Sequence, residues 1–163
     1  MINLIGSKGK TGGIELEGPF YANDGKTFNK KLLDVGTIQT IELGVYSSQM
    51  FDGWKPKRVD IYDIYRQHIY VFEHDESEVD NKLITLQRTA CITVERGYLD
   101  GKREPKYKLI DTIFGCMMFC LENNCVQAEY RTTGICQIVA RGTKVVKWAD
   151  DRYRVLTPQC VNT

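Results

Sequence analysis

Six cysteines, Cys91, Cys116, Cys120, Cys125, Cys136 and Cys160, all lie in the second half of a 163-residue chain whose first 90 residues hold none. Two chemistries suit such a cluster, disulfide bonding and zinc ligation. Zinc sites favour Cys-x2-Cys pairs joined by a second cysteine pair or by closely spaced histidines. Here the central spacing is Cys-x3-Cys-x4-Cys-x10-Cys, and both histidines, His68 and His74, precede the cluster. An even number of cysteines within about 70 residues fits a disulfide framework in a domain too small to rest on its core alone. Oxidised thiols are not nucleophiles, so this cluster staples rather than reacts. It also implies an oxidising, extracellular setting. The first ten residues are too few and too polar for a secretory signal, so a secreted chain would be a mature form with Met1 a cloning remnant.

The other groups that could do chemistry lack partners in the sequence. Neither histidine stands beside a nucleophile motif, and no Gly-x-Ser-x-Gly occurs. Asp60 and Asp63 are a carboxylate pair with nothing to set them in a cleft. Together with His68 and His74 they are expected on the solvated surface. Gly6, Gly9, Gly12 and Gly13 make a glycine-rich stretch, but no Gly-Lys-Ser/Thr follows to cradle phosphate. That stretch reads as a flexible leading loop. No catalytic residue is assigned.

Binding chemistry has more material. Phe20, Tyr21, Met50 and Phe51 flank turn residues and could form an apolar rim for lipid or protein contact, with ordinary burial the plainer alternative. Trp54 could anchor at a membrane interface, since tryptophan favours such sites. Lys144, Lys147, Trp148 and Arg152 form a basic-aromatic cluster suited to sulfated glycan or an acidic protein face, interrupted by Asp150 and Asp151. Asn23, Asp24 and Asp34 are hard oxygen donors on loops, of the kind calcium takes, although turn chemistry alone accounts for Asn23-Asp-Gly25. No other cofactor is expected. A formal net charge of +1 from 22 basic and 21 acidic residues gives no electrostatic reason to expect nucleic acid. No apolar run is long enough to span a bilayer.

The elements that must position these groups fall into two textures, divided near the acidic stretch 73–82. Before it, Ile14-Glu-Leu-Glu17, Ile38-Gln-Thr-Ile-Glu-Leu-Gly-Val45, Arg58-Val-Asp-Ile-Tyr-Asp-Ile64 and His68-Ile-Tyr-Val-Phe-Glu73 read as strands with an apolar face. After it, Cys91-Ile-Thr-Val94 and Tyr107-Lys-Leu-Ile110 read as strands. Asp111 or Thr112 caps a helix through residues 113–121, with Ile113, Cys116, Met117 and Cys120 on its buried face. Asn123-Asn124 ends it. Val126-Gln-Ala-Glu-Tyr130, Thr132-Thr-Gly134 and Ile135-Cys-Gln-Ile-Val139 predict a hairpin. The fold class is β-rich α+β, with an antiparallel β-sandwich in residues 1–82 and a small disulfide-bonded α+β domain in 83–163.

The segment Cys116-x3-Cys120-x4-Cys125-x-Ala-x-Tyr130, followed by Thr132-Thr-Gly134 and Cys136, resembles the centre of a PAN/apple domain. In that family a helix carries two cysteines one turn apart and a hairpin supplies the next two. The resemblance covers roughly residues 88–160. It implies the pairing Cys91–Cys160, Cys116–Cys136 and Cys120–Cys125. The residues themselves leave that choice open among about 15 connectivities, and Cys116–Cys125 with Cys120–Cys136 is its main competitor. The first half, through Gly13-Ile-Glu-Leu-Glu-Gly18, Val35-Gly-Thr-Ile-Gln-Thr-Ile-Glu-Leu43, Trp54-x4-Val-Asp-Ile-Tyr-Asp63 and Tyr70-Val-Phe72, is similar to a PLAT domain. Its first strand is shortened and its closing segment unclear. The resemblance implies a place for Trp54 in the core of the sandwich instead of at a membrane. Both families are attachment modules. The resemblances imply a secreted, non-catalytic protein that binds a protein, glycan or lipid surface. The alternatives are a small secreted hydrolase, a thiol redox protein using Cys120 and Cys125, and a structural or venom-type extracellular component.

Overall fold

A computed structural model describes residues 1–18, 25–44, 55–75, 79, 83–100, 103–139, 144–146 and 152–159, with backbone alone at 100, 103–105 and 144–146. The chain is β-rich and antiparallel, and it divides into two compact units. One comprises Met1–Asp60 and Val71–Thr89, the other Ile61–Tyr70 and Ala90–Val161. The acidic stretch 73–82 therefore belongs to the first unit, and the chain passes into the second after Thr89.

In the first unit, β1 (Ile2–Gly6), β2 (Gly9–Lys10), β3 (Ile38–Leu43) and β6 (Ile84–Gln87) form a sheet in the order β2-β1-β3-β6. Its register stacks like with like. Leu4 lies opposite Ile41 and Ile41 opposite Leu86, while Ile2 faces Leu43 and Leu43 faces Ile84. Ile2, Leu4, Ile41, Leu43 and Leu86 are buried, because period-two alternation puts them on one face. The other face is polar. There Glu42 accepts from Asn3 Nδ2 at 2.9 Å and pairs with Lys10 Nζ at 2.6 Å.

Two sequence expectations fail in this unit. The glycine-rich stretch is no flexible loop, since residues 2–10 form the β1–β2 hairpin. Gly6 answers a close approach of backbone to backbone. A Cβ on Gly6 would lie 2.3 Å from the Val35 carbonyl oxygen, where the Lys8 amide donates to that same oxygen at 2.8 Å. Ile14-Glu-Leu-Glu17 is not a strand either. Ile14 alone forms a bridge, to Ile2, since the residues after it find no neighbouring strand. Gly6→Ala is expected to destabilise the chain by about 2 kcal/mol, because backbone rather than a side-chain tip must yield. Chemical denaturation checks this, and a loss below half that figure would show that the 35–37 segment moves aside freely.

The second unit is built on a sheet in the order β4-β5-β7-β13-β10-β11-β9. Its strands are β4 (Arg58–Asp63), β5 (His68–Glu73), β7 (Ala90–Arg96), β9 (Arg103–Leu109), β10 (Gln127–Arg131), β11 (Ile135–Val139) and β13 (Tyr153–Thr157). Strands β4 and β5 enter this unit through residues 61–63 and 68–70. A separate ribbon pairs β8 (Tyr98–Asp100) with β12 (Lys144–Val146). Helix α1 (Ile113–Glu122) begins at Thr112, whose hydroxyl accepts from the Gly115 amide at 3.0 Å. It ends at Asn123, whose Nδ2 donates to the Phe119 carbonyl at 2.8 Å. Both ends follow from side chains that satisfy orphan backbone groups. The helix packs on β10 and β11 with Cys116, Met117 and Cys120 buried. Tyr130 ties the sheet to the helix start by donating to the Asp111 carbonyl at 2.9 Å.

Candidate functional site

The bridges form the chemical centre of the second unit. Cys116 pairs with Cys136 and Cys120 with Cys125, at Cα separations of 5.3 and 5.0 Å, and these are the pairings the helix-and-hairpin resemblance implies. Cys116 and Cys120 stand one helical turn apart on the face toward β10 and β11. Cys136 lies in β11 beneath them, and Cys125 lies just past the helix end. Cys116, Cys120 and Cys136 have no solvent exposure. Cys91 is also disulfide-bonded, while Cys160 lies outside the described residues.

Most of the remaining sequence-predicted groups fall outside the described residues. Phe20, Tyr21, Met50, Phe51, Asn23, Asp24, Trp54, Lys147 and Trp148 lie outside the described residues. Lys144 is in β12, opposite Asp100, and Arg152 is exposed. Asp34 ion-pairs with Lys8 at 3.1 Å and accepts from the Gly36 amide at 2.9 Å. Gly36 holds a φ of 78°, so turn closure engages both carboxylate oxygens. Among the described residues no three His, Cys, Asp or Glu side chains converge as metal ligands, and no helix is long and apolar enough to cross a membrane.

The histidines correct the surface reading. His68 is 4% exposed, with Nδ1 3.2 Å from the Tyr70 hydroxyl and the two rings edge to face. The His74 side chain is 8% exposed, and its Nδ1 lies 3.2 Å from the Pro56 carbonyl oxygen. Both rings are held by polar partners two residues or one strand away, and His74 Nε2 also lies 3.5 Å from Asp75 Oδ1. Asp60 and Asp63 each turn to an arginine, Asp60 to Arg58 at 2.7 Å and Asp63 to Arg66 at 3.0 Å. Burial raises the Asp60 carboxyl above its usual value, and the hydrogen bond from Arg58 opposes that rise. Neither acid faces the other across a cleft.

The sequence reading missed one buried acid. Glu129 in β10 is completely buried, accepting from the Leu99 amide at 3.0 Å and from Arg131 Nε at 3.1 Å. Arg131 in turn lies over the Tyr153 ring, 5.4 Å from its centroid. Beside this acid sit Leu99, Val139 and Val155 as an apolar cluster. The available signal was the Glu129/Arg131 spacing, which places opposite charges on one face of a strand.

An open depression of about 380 Å³ in the first unit is lined by Thr11, Gly12, Gly13, Ile14 and the 31–33 segment. Among the described residues its ionisable side chain is Lys31, and the Thr11 hydroxyl already accepts from the Leu4 amide at 2.9 Å, so the described lining pairs no nucleophile with a base.

Surface electrostatics in this unit gives a pH test. Hydrogen bonds from Lys10 and Asn3 hold the Glu42 carboxyl below its ordinary value. A depressed acid contributes stability above its unfolded value, and that contribution disappears as the pH falls through the folded one. Glu42→Gln is therefore expected to melt below the parent at pH 7 and to converge with it on acidification. Lys10 is 47% exposed, so salt should shrink the gap as well. A gap that is constant from pH 7 to pH 2 would contradict the assignment.

No protein-family model matches the chain, and neither the curated proteins nor the solved structures contain a significant match to it.

Proposed function

We propose that this chain is an extracellular, non-catalytic recognition protein that binds a protein, glycan or lipid surface. The observation that carries the reading is the pair of bridges on α1, Cys116–Cys136 enclosed between the helix and β11 and Cys120–Cys125 closing the turn at the helix end. Bridges of this kind persist in oxidising compartments. A redox dithiol, by contrast, works through an accessible, low-pKa sulfur. Cys120 is enclosed and Cys125 is half-buried, so resistance of this bridge to mild reduction is what separates the two readings. The third bridge in this reading is Cys91–Cys160. The PAN/apple resemblance of the second unit and the PLAT-like sandwich resemblance of the first support an attachment role by analogy of fold.

Two measurements test it. Thiol titration of denatured, unreduced protein should find no free sulfhydryl, and two or more per chain would overturn the extracellular assignment. Arrays of glycans, lipid vesicles and extracellular proteins, read with and without calcium, should show saturable binding in one class. Turnover of a hydrolase substrate panel without any such binding would replace recognition with catalysis.

A further inference from the structure

Strand β9 ends the sheet of the second unit, with β11 on one side and no further strand on the other among the described residues. Lys106, Tyr107, Lys108 and Leu109 are all exposed, and Tyr107 and Leu109 are 64% and 74% exposed. Natural edges are usually shortened, covered or charged, because their open amides and carbonyls template another strand. This edge is charged on one face and apolar on the other.

Its hydrogen-bonding direction follows from two contacts. The Ile110 amide donates to the Gly134 carbonyl at 2.7 Å, and the Lys106 carbonyl accepts from Gln137 Nε2 at 3.0 Å. Residues 106, 108 and 110 therefore turn their backbone groups toward β11, and the alternation of a strand leaves those of Tyr107 and Leu109 pointing outward. Pro105, two residues earlier, has no amide to offer. The open ladder is thus short and located. The side chains alternate in the other sense. Lys108 lies opposite Cys136 and so shares its face with α1, whereas Tyr107 and Leu109 lie opposite Gln137 and Ile135 on the reverse face.

We infer that β9 is a strand-addition site for an extended peptide segment of a partner protein in which acidic and apolar residues alternate. Backbone bonds to Tyr107 and Leu109 supply the attachment. Acidic side chains meet Lys106 and Lys108 across the new pair, and apolar ones lie beside Tyr107 and Leu109. Lys108 has no carboxylate partner among the described residues, and Lys106 reaches only Asn123, at 3.5 Å, so both cations are open to such a strand. A second copy of this chain does not fit. Antiparallel β9–β9 pairing through the outward groups sets even-numbered residues opposite even-numbered ones, so lysine falls opposite lysine. Like charges directly opposite disfavour that pair.

The inference rests on the recognition reading and narrows it to one partner class. Its test uses the full chain, isotope-labelled, titrated with a blocked heptapeptide of alternating glutamate and valine, and with the same peptide carrying lysine for glutamate. The acidic peptide should slow amide exchange at Tyr107 and Leu109 on the order of tenfold and leave Lys108 unchanged. Lys108→Glu should weaken the acidic peptide by about twofold to fivefold and strengthen the basic one in the same proportion. Tyr107→Pro should abolish protection, whereas Tyr107→Ala retains the amide and should keep it. Equal binding of the two peptides, protection away from β9, or concentration-dependent protection of β9 without peptide would each overturn the inference. Inert peptides alongside saturable glycan or lipid binding would overturn it and leave the recognition reading standing, whereas no binding in any class would remove both.

Discussion

Replacing Cys116 and Cys136 together by alanine is expected to lower stability by about 3 kcal/mol, and replacing Cys120 and Cys125 together by about 2 kcal/mol. The ranking comes from loop length. The first bridge spans a sequence separation of 20 and the second a separation of 5, and the closure entropy removed from the unfolded chain grows slowly with that span. Burial sharpens the contrast, since both sulfurs of the longer bridge are enclosed between α1 and β11 and their loss leaves a void. Hydrogen exchange should show α1, β10 and β11 losing protection first. The strands β1, β3 and β6 lie in a unit whose described residues contain no cysteine, so mild reduction should spare them longer. Calorimetry gives the two magnitudes. Equal losses for the two double variants would mean that packing, not loop closure, sets the contribution, and simultaneous deprotection of β3 and β11 would mean that the two units unfold as one.

The sequence made the elements of the second unit readable because several local signals agreed there. Thr112 and Asn123 each do a capping job that their side chains announce, and Ile113, Cys116, Met117 and Cys120 recur at helical spacing between them. The β11 strand, Ile135–Val139, has the bounds that alternation predicts. Pairing of the cysteines was legible through family-like spacing. Geometry enters only once β11 is seen beneath α1. In the first unit the same signals misled. Ile14-Glu-Leu-Glu17 alternates but has no strand to pair with beyond Ile14, and alternation is a property of one segment whereas pairing needs two. Gly6 looked permissive, yet its missing Cβ serves close approach to Val35, a contact about 30 residues away in sequence that no local window displays.

The buried polar groups were the hardest to read, for a related reason. A histidine or glutamate is assigned to the surface by its average behaviour, and only its partner reverses that. His68 opens a histidine–isoleucine–tyrosine–valine–phenylalanine run that is buried at every position, and the Tyr70 hydroxyl two residues on is its polar neighbour. Neighbours at that spacing share a face of the strand, so the pair was visible in outline. Glu129 has its decisive partner, the Leu99 amide, 30 residues away. The candidate binding edge was half legible. The Lys-Tyr-Lys-Leu alternation of residues 106–109 stands in the sequence, but whether a strand ends a sheet is a fact of topology.

Glu129→Ala is expected to cost about 3 kcal/mol, the largest loss from any single polar side chain among the described residues of the second unit. The carboxylate is completely enclosed, and it closes two donors at once, the Leu99 amide and Arg131 Nε. Leu99 is 1% exposed, so its amide finds no water when the acceptor goes, and an unsatisfied buried donor costs about 1–3 kcal/mol. The void left beside Val139 and Val155 adds to that. Arg131 is 31% exposed, so solvent screens its lost partner and the ion pair itself is the smaller part of the effect. Two further variants separate these contributions. Glu129→Gln keeps an acceptor for the Leu99 amide and fills the space, so it should recover more than half of the loss. Arg131→Met removes the cation and its contact with Tyr153 but leaves the Leu99 bond in place, and it should cost about 1 kcal/mol. Urea denaturation measures all three, and amide exchange at Leu99 should accelerate in Glu129→Ala alone. If Arg131→Met proves as damaging as Glu129→Ala, the ion pair rather than the enclosed amide holds β8 against the sheet.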